Sequence, residues 1–143
     1  MLDQVRNLAH QMRLFGIHAA GERRAQEALA EQLHPLEFLR LILEDELLAR
    51  KDRTAKALTT KARFRFRADL EDWDYAFHKD VPKAKIAELA HLRFFHNMEN
   101  LLILGKTGLG KSHLAIAFGK RLCHEGHATV FLSVNFLFEE VQA

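Results

Sequence analysis

Leu101-Leu102-Ile103-Leu104-Gly105-Lys106-Thr107-Gly108-Leu109-Gly110-Lys111-Ser112 is the stretch on which the fold turns. Its four leading apolar residues predict a central parallel strand covered on both faces. Residues 105–112 then match the whole phosphate-loop pattern G-x-x-x-x-G-K-[ST]. Behind the loop, Leu114, Ala115, Phe118 and Leu122 recur at helical spacing as far as Gly126, a residue suited to the left-handed position past a helix end. The order is therefore strand, glycine loop, helix.

That order carries chemistry. The first N–H groups of a helix have no intrahelical acceptor, and the helix dipole adds partial positive charge at the same end. Gly105, Gly108 and Gly110 allow backbone conformations closed to residues with a Cβ, so that successive amides turn inward around a phosphate. Lys111 adds a full charge near the β- and γ-phosphates, and the Ser112 hydroxyl offers oxygen to Mg²⁺, a hard cation. The expected ligand is ATP with Mg²⁺, and the expected site is Gly105, Lys106, Thr107, Gly108, Leu109, Gly110, Lys111 and Ser112.

The chain has 143 residues, enough for one ordinary domain or for a small helical domain followed by part of a larger one. No apolar run approaches the roughly 20 residues of a membrane span, and the N-terminus lacks a secretory apolar core. A cytoplasmic location is the expectation. Cys123 is the single cysteine, so no internal disulfide forms and a reducing compartment fits. Cys123, His124 and His127 lie close together, but three residues around a helix end with no second ligand cluster are a poor metal site.

The net charge of +2 hides an asymmetry. Between Arg50 and Arg67 stand eight basic residues, namely Arg50, Lys51, Arg53, Lys56, Lys61, Arg63, Arg65 and Arg67, against the single acid Asp52. Such a run suits a polyanion, duplex DNA above all, because each Lys or Arg that meets a phosphate releases counterions. A solvated helix face is the competing reading. Phe64 and Phe66 alternate with the arginines, as base-stacking residues or as anchors to a core.

Upstream the pattern is helical. Val5, Leu8 and Met12 form a first stripe that Gly16 is expected to break, and a second helix is predicted from about Ala19 to Leu33. A third opens at His34-Pro35, where proline suits the first turn and Glu37 complements the dipole. Its stripe of Leu36, Leu39, Leu43 and Leu47 is expected to pack on neighbours, and the helix to continue into the basic run. Residues 68–82, acidic and aromatic and closed by Pro82, read as a linker. A helix from about Lys83 to Phe95, with Ile86, Leu89 and Leu92 inward, leads to the loop. The expected organisation is a helical, DNA-binding region over 1–67, the linker over 68–82, and the N-terminal part of a P-loop domain over 83–143.

Several strings together resemble one family. They are Glu44-Asp45-Glu46-Leu47-Leu48-Ala49-Arg50, Asp69-Leu70-Glu71-Asp72-Trp73-Asp74-Tyr75, and Asn100 to Gly105 leading to Gly110-Lys111-Ser112-His113-Leu114-Ala115. The chain resembles the IstB-like helper ATPases of insertion-sequence transposons, of the AAA+ group and similar to the DnaC helicase loaders. The resemblance covers nearly the whole chain and adds His113 to the nucleotide-site residues. It implies an α/β fold, with an N-terminal helical region followed by the first part of an AAA+ type parallel-sheet domain. It also implies ATP-dependent homo-oligomers on duplex DNA without sequence preference, a transposase as partner, and Trp73, Tyr75 or Phe77 near the adenine.

The C-terminus departs from the family. Ala128 to Ser133 reads as a second strand and Asn135 to Val141 as the start of a helix. The acidic strand end that holds Mg²⁺ and orients water, the polar sensor and the arginine finger are not found. Phe136-Leu137-Phe138-Glu139-Glu140 is no substitute, because it follows Lys111 too closely and lacks the leading Asp. The expectation is a truncated copy that does not hydrolyse ATP alone, with no catalytic residue to name. Two alternatives stay open: a DnaC-like replicative helicase loader, and a DNA-binding remnant without nucleotide function.

Overall fold

The computed structural model describes residues 1–76 and 81–134. The chain divides into two compact units, Met1–Thr54 and Ala55–Ala143. Six helices are formed among the described residues: α1 (Leu2–Gln11), α2 (Phe15–Ala30), α3 (Pro35–Lys61), α4 (Lys83–Ala90), α5 (Arg93–His96) and α6 (Lys111–His124). The division between the units falls inside α3. None of the described helices is long and apolar enough to cross a membrane.

In the first unit, the break after α1 lies at Arg13, which takes a left-handed φ of 56°, and not at Gly16. Gly16 instead sits in the first turn of α2. A Cβ there would come within 2.5 Å of the Asp45 carbonyl oxygen and the Glu46 Cα, so only glycine lets α2 approach α3 this closely. The approach has a purpose. No side chain of α2 caps its own start, and the amides of Gly16 and Ile17 donate to Glu46 Oε2 at 2.7 and 3.2 Å. Glu46 is 5% exposed. Its other oxygen accepts from Arg50 Nε at 2.7 Å, with Arg53 Nη2 at 3.6 Å. Burial alone would raise the Glu46 pKa, but the Arg50 hydrogen bond and the two amides outweigh it and hold the carboxyl below the ordinary glutamate value. Next to it, Asp45 accepts two hydrogen bonds from the Arg24 guanidinium, at 2.7 and 3.0 Å, and its pKa is lowered by that pairing.

This arrangement sets the rotation of α3 and overturns its expected packing face. Ile42 and Glu46, four residues apart, point inward, while Leu36, Leu39, Leu43 and Leu47 are exposed. Val5 and Leu8 of α1 and Met12 just after it are exposed as well, and Ala9 is the buried residue of that helix.

The second unit is assembled around α6. Leu114 and Phe118 pack with Trp73, Ile86 and Leu92, and Ile116 and Ala117 pack with Ala68 on another side. The helix expected from Lys83 to Phe95 is divided: Leu92, fully buried, adopts a left-handed φ of 54° between α4 and α5. In the described part of the segment 68–82, Ala68 is fully buried and Trp73 nearly so.

The parallel sheet is not formed among the described residues. Residues 101–104 and 128–133 hold no strand ladder, although Phe131 N–H donates to the Ala62 carbonyl at 2.8 Å. No described segment pairs with either of them as a strand. The expected covering of both faces is not found: Leu101 and Ile103 pack on the core while Leu102 and Leu104 are exposed, as in an extended segment with one face covered. The helix expected over Asn135 to Val141 lies outside the described residues.

Replacing Glu46 by Ala is expected to destabilise the first unit by on the order of 2 kcal/mol, since two amides and an arginine lose their acceptor. Urea denaturation with amide exchange read at Gly16 and Ile17 measures this, and unchanged protection there would remove the capping role. The pH dependence follows from the lowered pKa. The contribution of Glu46 is complete at neutral pH and is lost as pH falls through its folded value, so wild type should weaken on acidification more than Glu46→Gln.

Candidate functional site

The loop 105–110 is built on left-handed glycines: Gly105 at φ 155°, Gly108 at 86° and Gly110 at 71°. Gly110 is the N-cap of α6, and no side chain caps that helix. The Leu114 amide is bonded back to the Gly110 carbonyl at 3.0 Å. That leaves the N–H groups of Lys111, Ser112 and His113 at the helix start without helical acceptors. Lys111 donates from Nζ to the Lys106 carbonyl at 2.6 Å, so its ammonium lies over the loop. Residues 105–109 are exposed, as is Ser112. Three amides, a lysine ammonium and an accessible hydroxyl form a donor set that fits a polyphosphate with a hard cation.

A family model of the IstB-like ATP binding protein matches residues 7–143. The chain belongs to the IstB-like ATP-binding protein family. It is 33% identical over 112 residues to a Pseudomonas aeruginosa protein named for insertion sequence IS21 and for ATP binding, an overlap covering 78% of this chain and 42% of the relative. It is 27% identical over 142 residues to a Geobacillus stearothermophilus protein named in the same way for IS5376, covering 99% and 57%. A Pseudomonas fluorescens protein named for IS1162 is 32% identical over 134 residues, covering 93% and 58%. The chain thus spans about half the length of the curated relatives it matches.

In this IstB-like chain the His113 side chain is taken up by Asp69 and Trp73. Its Nε2 lies 3.0 Å from the Asp69 carbonyl oxygen, and its ring centroid is 5.7 Å from that of Trp73. Seven residues on, and so on the same face of α6, Lys120 pairs with the Asp69 carboxylate. The Lys120 hydrogen bond, reinforced by Arg67 at 3.5 Å, outweighs burial and lowers the Asp69 pKa. Sequence reasoning did not pick out Lys120. The seven-residue spacing from His113 was the available signal, and it lacked only the knowledge that Asp69 stands opposite.

Trp73 packs against Leu114 and Phe118 of α6, and Tyr75 is half-buried with the Lys83 ammonium 5.5 Å from its ring centroid. Phe77 lies outside the described residues. Cys123 is fully buried in α6, whereas His124 is exposed.

The basic residues fall into two sets. In the first unit, Arg50 and Arg53 face the Glu46 carboxylate, and Arg53 also lies 4.6 Å over the Phe15 ring; Lys51 is exposed. In the second unit, Lys56, Lys61, Arg63, Arg65 and Arg67 are all exposed. The two aromatics between the arginines part company. Phe64 packs with Ala68, Ile116 and Ala117, whereas Phe66 is 47% exposed.

Gly108 has no atom within 4 Å of a would-be Cβ, yet its φ of 86° strains any L-residue. Gly108→Ala should therefore weaken nucleotide binding by about tenfold, the equivalent of 1–2 kcal/mol of left-handed strain, while the circular dichroism stays unchanged. Wild-type affinity in this variant would show that the loop binds in some other conformation.

Proposed function

We propose that this IstB-like chain binds ATP with Mg²⁺ at the loop 105–112, binds duplex DNA through its basic residues, and acts in the cytoplasm as an ATP-dependent helper of DNA transposition. The observation that carries the reading is the start of α6, where three amides without helical acceptors stand beside an exposed Ser112 and a lysine ammonium held over the loop.

The division of labour follows from the donors. The amides of Lys111, Ser112 and His113 hold phosphate oxygens, and the helix dipole favours their negative charge. Lys111 leaves the Lys106 carbonyl for a phosphate oxygen, exchanging a neutral acceptor for a charged one. Ser112 contributes its hydroxyl to the cation. The His113 side chain keeps the first turn of α6 seated on Asp69. Hydrolysis further requires an acidic group to orient water and an arginine finger to stabilise the transition state, and the loop 105–112 supplies neither. The reading is therefore of nucleotide binding, with a transposase and further copies of the chain as partners.

DNA binding rests on the exposed cations of the second unit, with Lys51, and less on Arg50 and Arg53, whose guanidinium groups already face Glu46. The relatives' names, each citing an insertion sequence and ATP binding, favour transposition over helicase loading.

Titration with a fluorescent ATP analogue and Mg²⁺ should give saturable binding that Lys111→Ala abolishes, with DNA affinity retained. Binding that survives in the variant would overturn the site. Replacing Arg63, Arg65 and Arg67 by Ala should do the reverse and flatten the salt dependence of DNA binding by about 0.9 in slope per lost contact. An unchanged slope would sink the DNA assignment.

A further inference from the structure

We propose that Phe66 is a base-stacking residue, and that the segment 63–67 takes DNA in which a base is unstacked, such as a single strand, a gap or a bulge, in preference to continuous duplex. The inference rests on the DNA-binding reading above and names the form of DNA that the second unit recognises.

Phe64 and Phe66 are alike in the sequence and unlike in the structure. Phe64 is an anchor: its ring packs with Ile116 and Ala117, meets Phe131 edge-on with centroids 6.4 Å apart, and lies close enough to Gly119 that a Cβ there would be 3.1 Å from it. Among the described residues Phe66 makes no such commitment, and it leaves nearly half of its surface in water. An exposed phenylalanine of this kind gains little by folding.

The surroundings of Phe66 are those of a nucleic-acid strand site. It borders a groove with Thr59, Thr60, Arg63, Arg67 and Lys120. Arg63 and Arg67 stand at the groove as cations for phosphates, and exposed Arg65 lies next to Phe66 in sequence. The groove wall is firm, because Ala68 is fully buried and Asp69 is fastened to Lys120 of α6. A preorganised aromatic among cations suits a base face with its phosphate on either side, since every base has a π-face and stacking needs no particular sequence. Bases in continuous duplex are already stacked on one another. The Phe66 face is therefore used only where a base is free, whereas the arginines act on the phosphates of either form.

The test uses the full chain with three fluorescent DNAs of equal length: a duplex, the same duplex with a three-nucleotide gap, and a single strand. Phe66→Leu keeps the apolar area of the groove and removes the ring; Phe66→Trp keeps a ring. Phe66→Leu is expected to weaken binding to the gapped and single-stranded DNAs on the order of tenfold, with duplex affinity unchanged, and Phe66→Trp to restore it with quenching of the new tryptophan. Equal loss on all three DNAs, or no loss on any, would overturn the stacking role while leaving the arginine contacts in place. Failure of the wild type to bind any of the three would overturn the DNA reading itself, and with it this inference.

Discussion

Burial of α6 is the constraint from which the second unit follows. One flank of the helix, Leu114 and Phe118, collects Trp73, Ile86 and Leu92; the other, Ile116 and Ala117, collects Ala68 and Phe64. A helix buried on two sides has little freedom to tilt, so the direction of its first amides is settled by apolar packing well away from them. This matters because an anion site made of backbone donors has no side chains with which to adjust. The loop needs glycine for its conformation and the core for its aim.

The first unit solves a related problem with charge. The start of α2 has no cap of its own, and the Glu46 carboxylate of α3 supplies one while Asp45 holds Arg24. A buried carboxylate is expensive unless its lone pairs are used, and here two amides and an arginine use them. The consequence spreads beyond the contact, because seating residue 46 inward fixes which way the leucines of α3 face.

These two cases explain what was legible in the sequence. The glycine loop and the start of α6 were readable because the loop's conformation needs residues without a Cβ at fixed spacing. The opening of α3 at Pro35 was readable for the same local reason. The face of α3 was not, since a leucine stripe reports apolarity and the rotation is decided by a carboxylate thirty residues from the amide it caps. Gly16 was misread as a breaker because a glycine needed for close approach looks, in one dimension, like a glycine that ends a helix. The expected sheet rested on the apolar pattern of residues 101–104 alone, and a ladder depends on partners that such a pattern does not contain.

Phe64 and Phe66 show the same limit at the scale of a single pair. Alternation places them on one side of an extended segment, and nothing local separates them. Gly119 does, by leaving space on α6 for one ring, which Phe64 takes. Asp69 then fastens the segment to the helix from its other end, through its carbonyl to His113 and its carboxylate to Lys120. The arginines at 63, 65 and 67 are thus carried on a strip held at both ends to the helix whose first turn forms the proposed phosphate site. Within the second unit, any displacement of that strip along α6 has to break a partly buried ring contact or the Asp69–Lys120 ion pair.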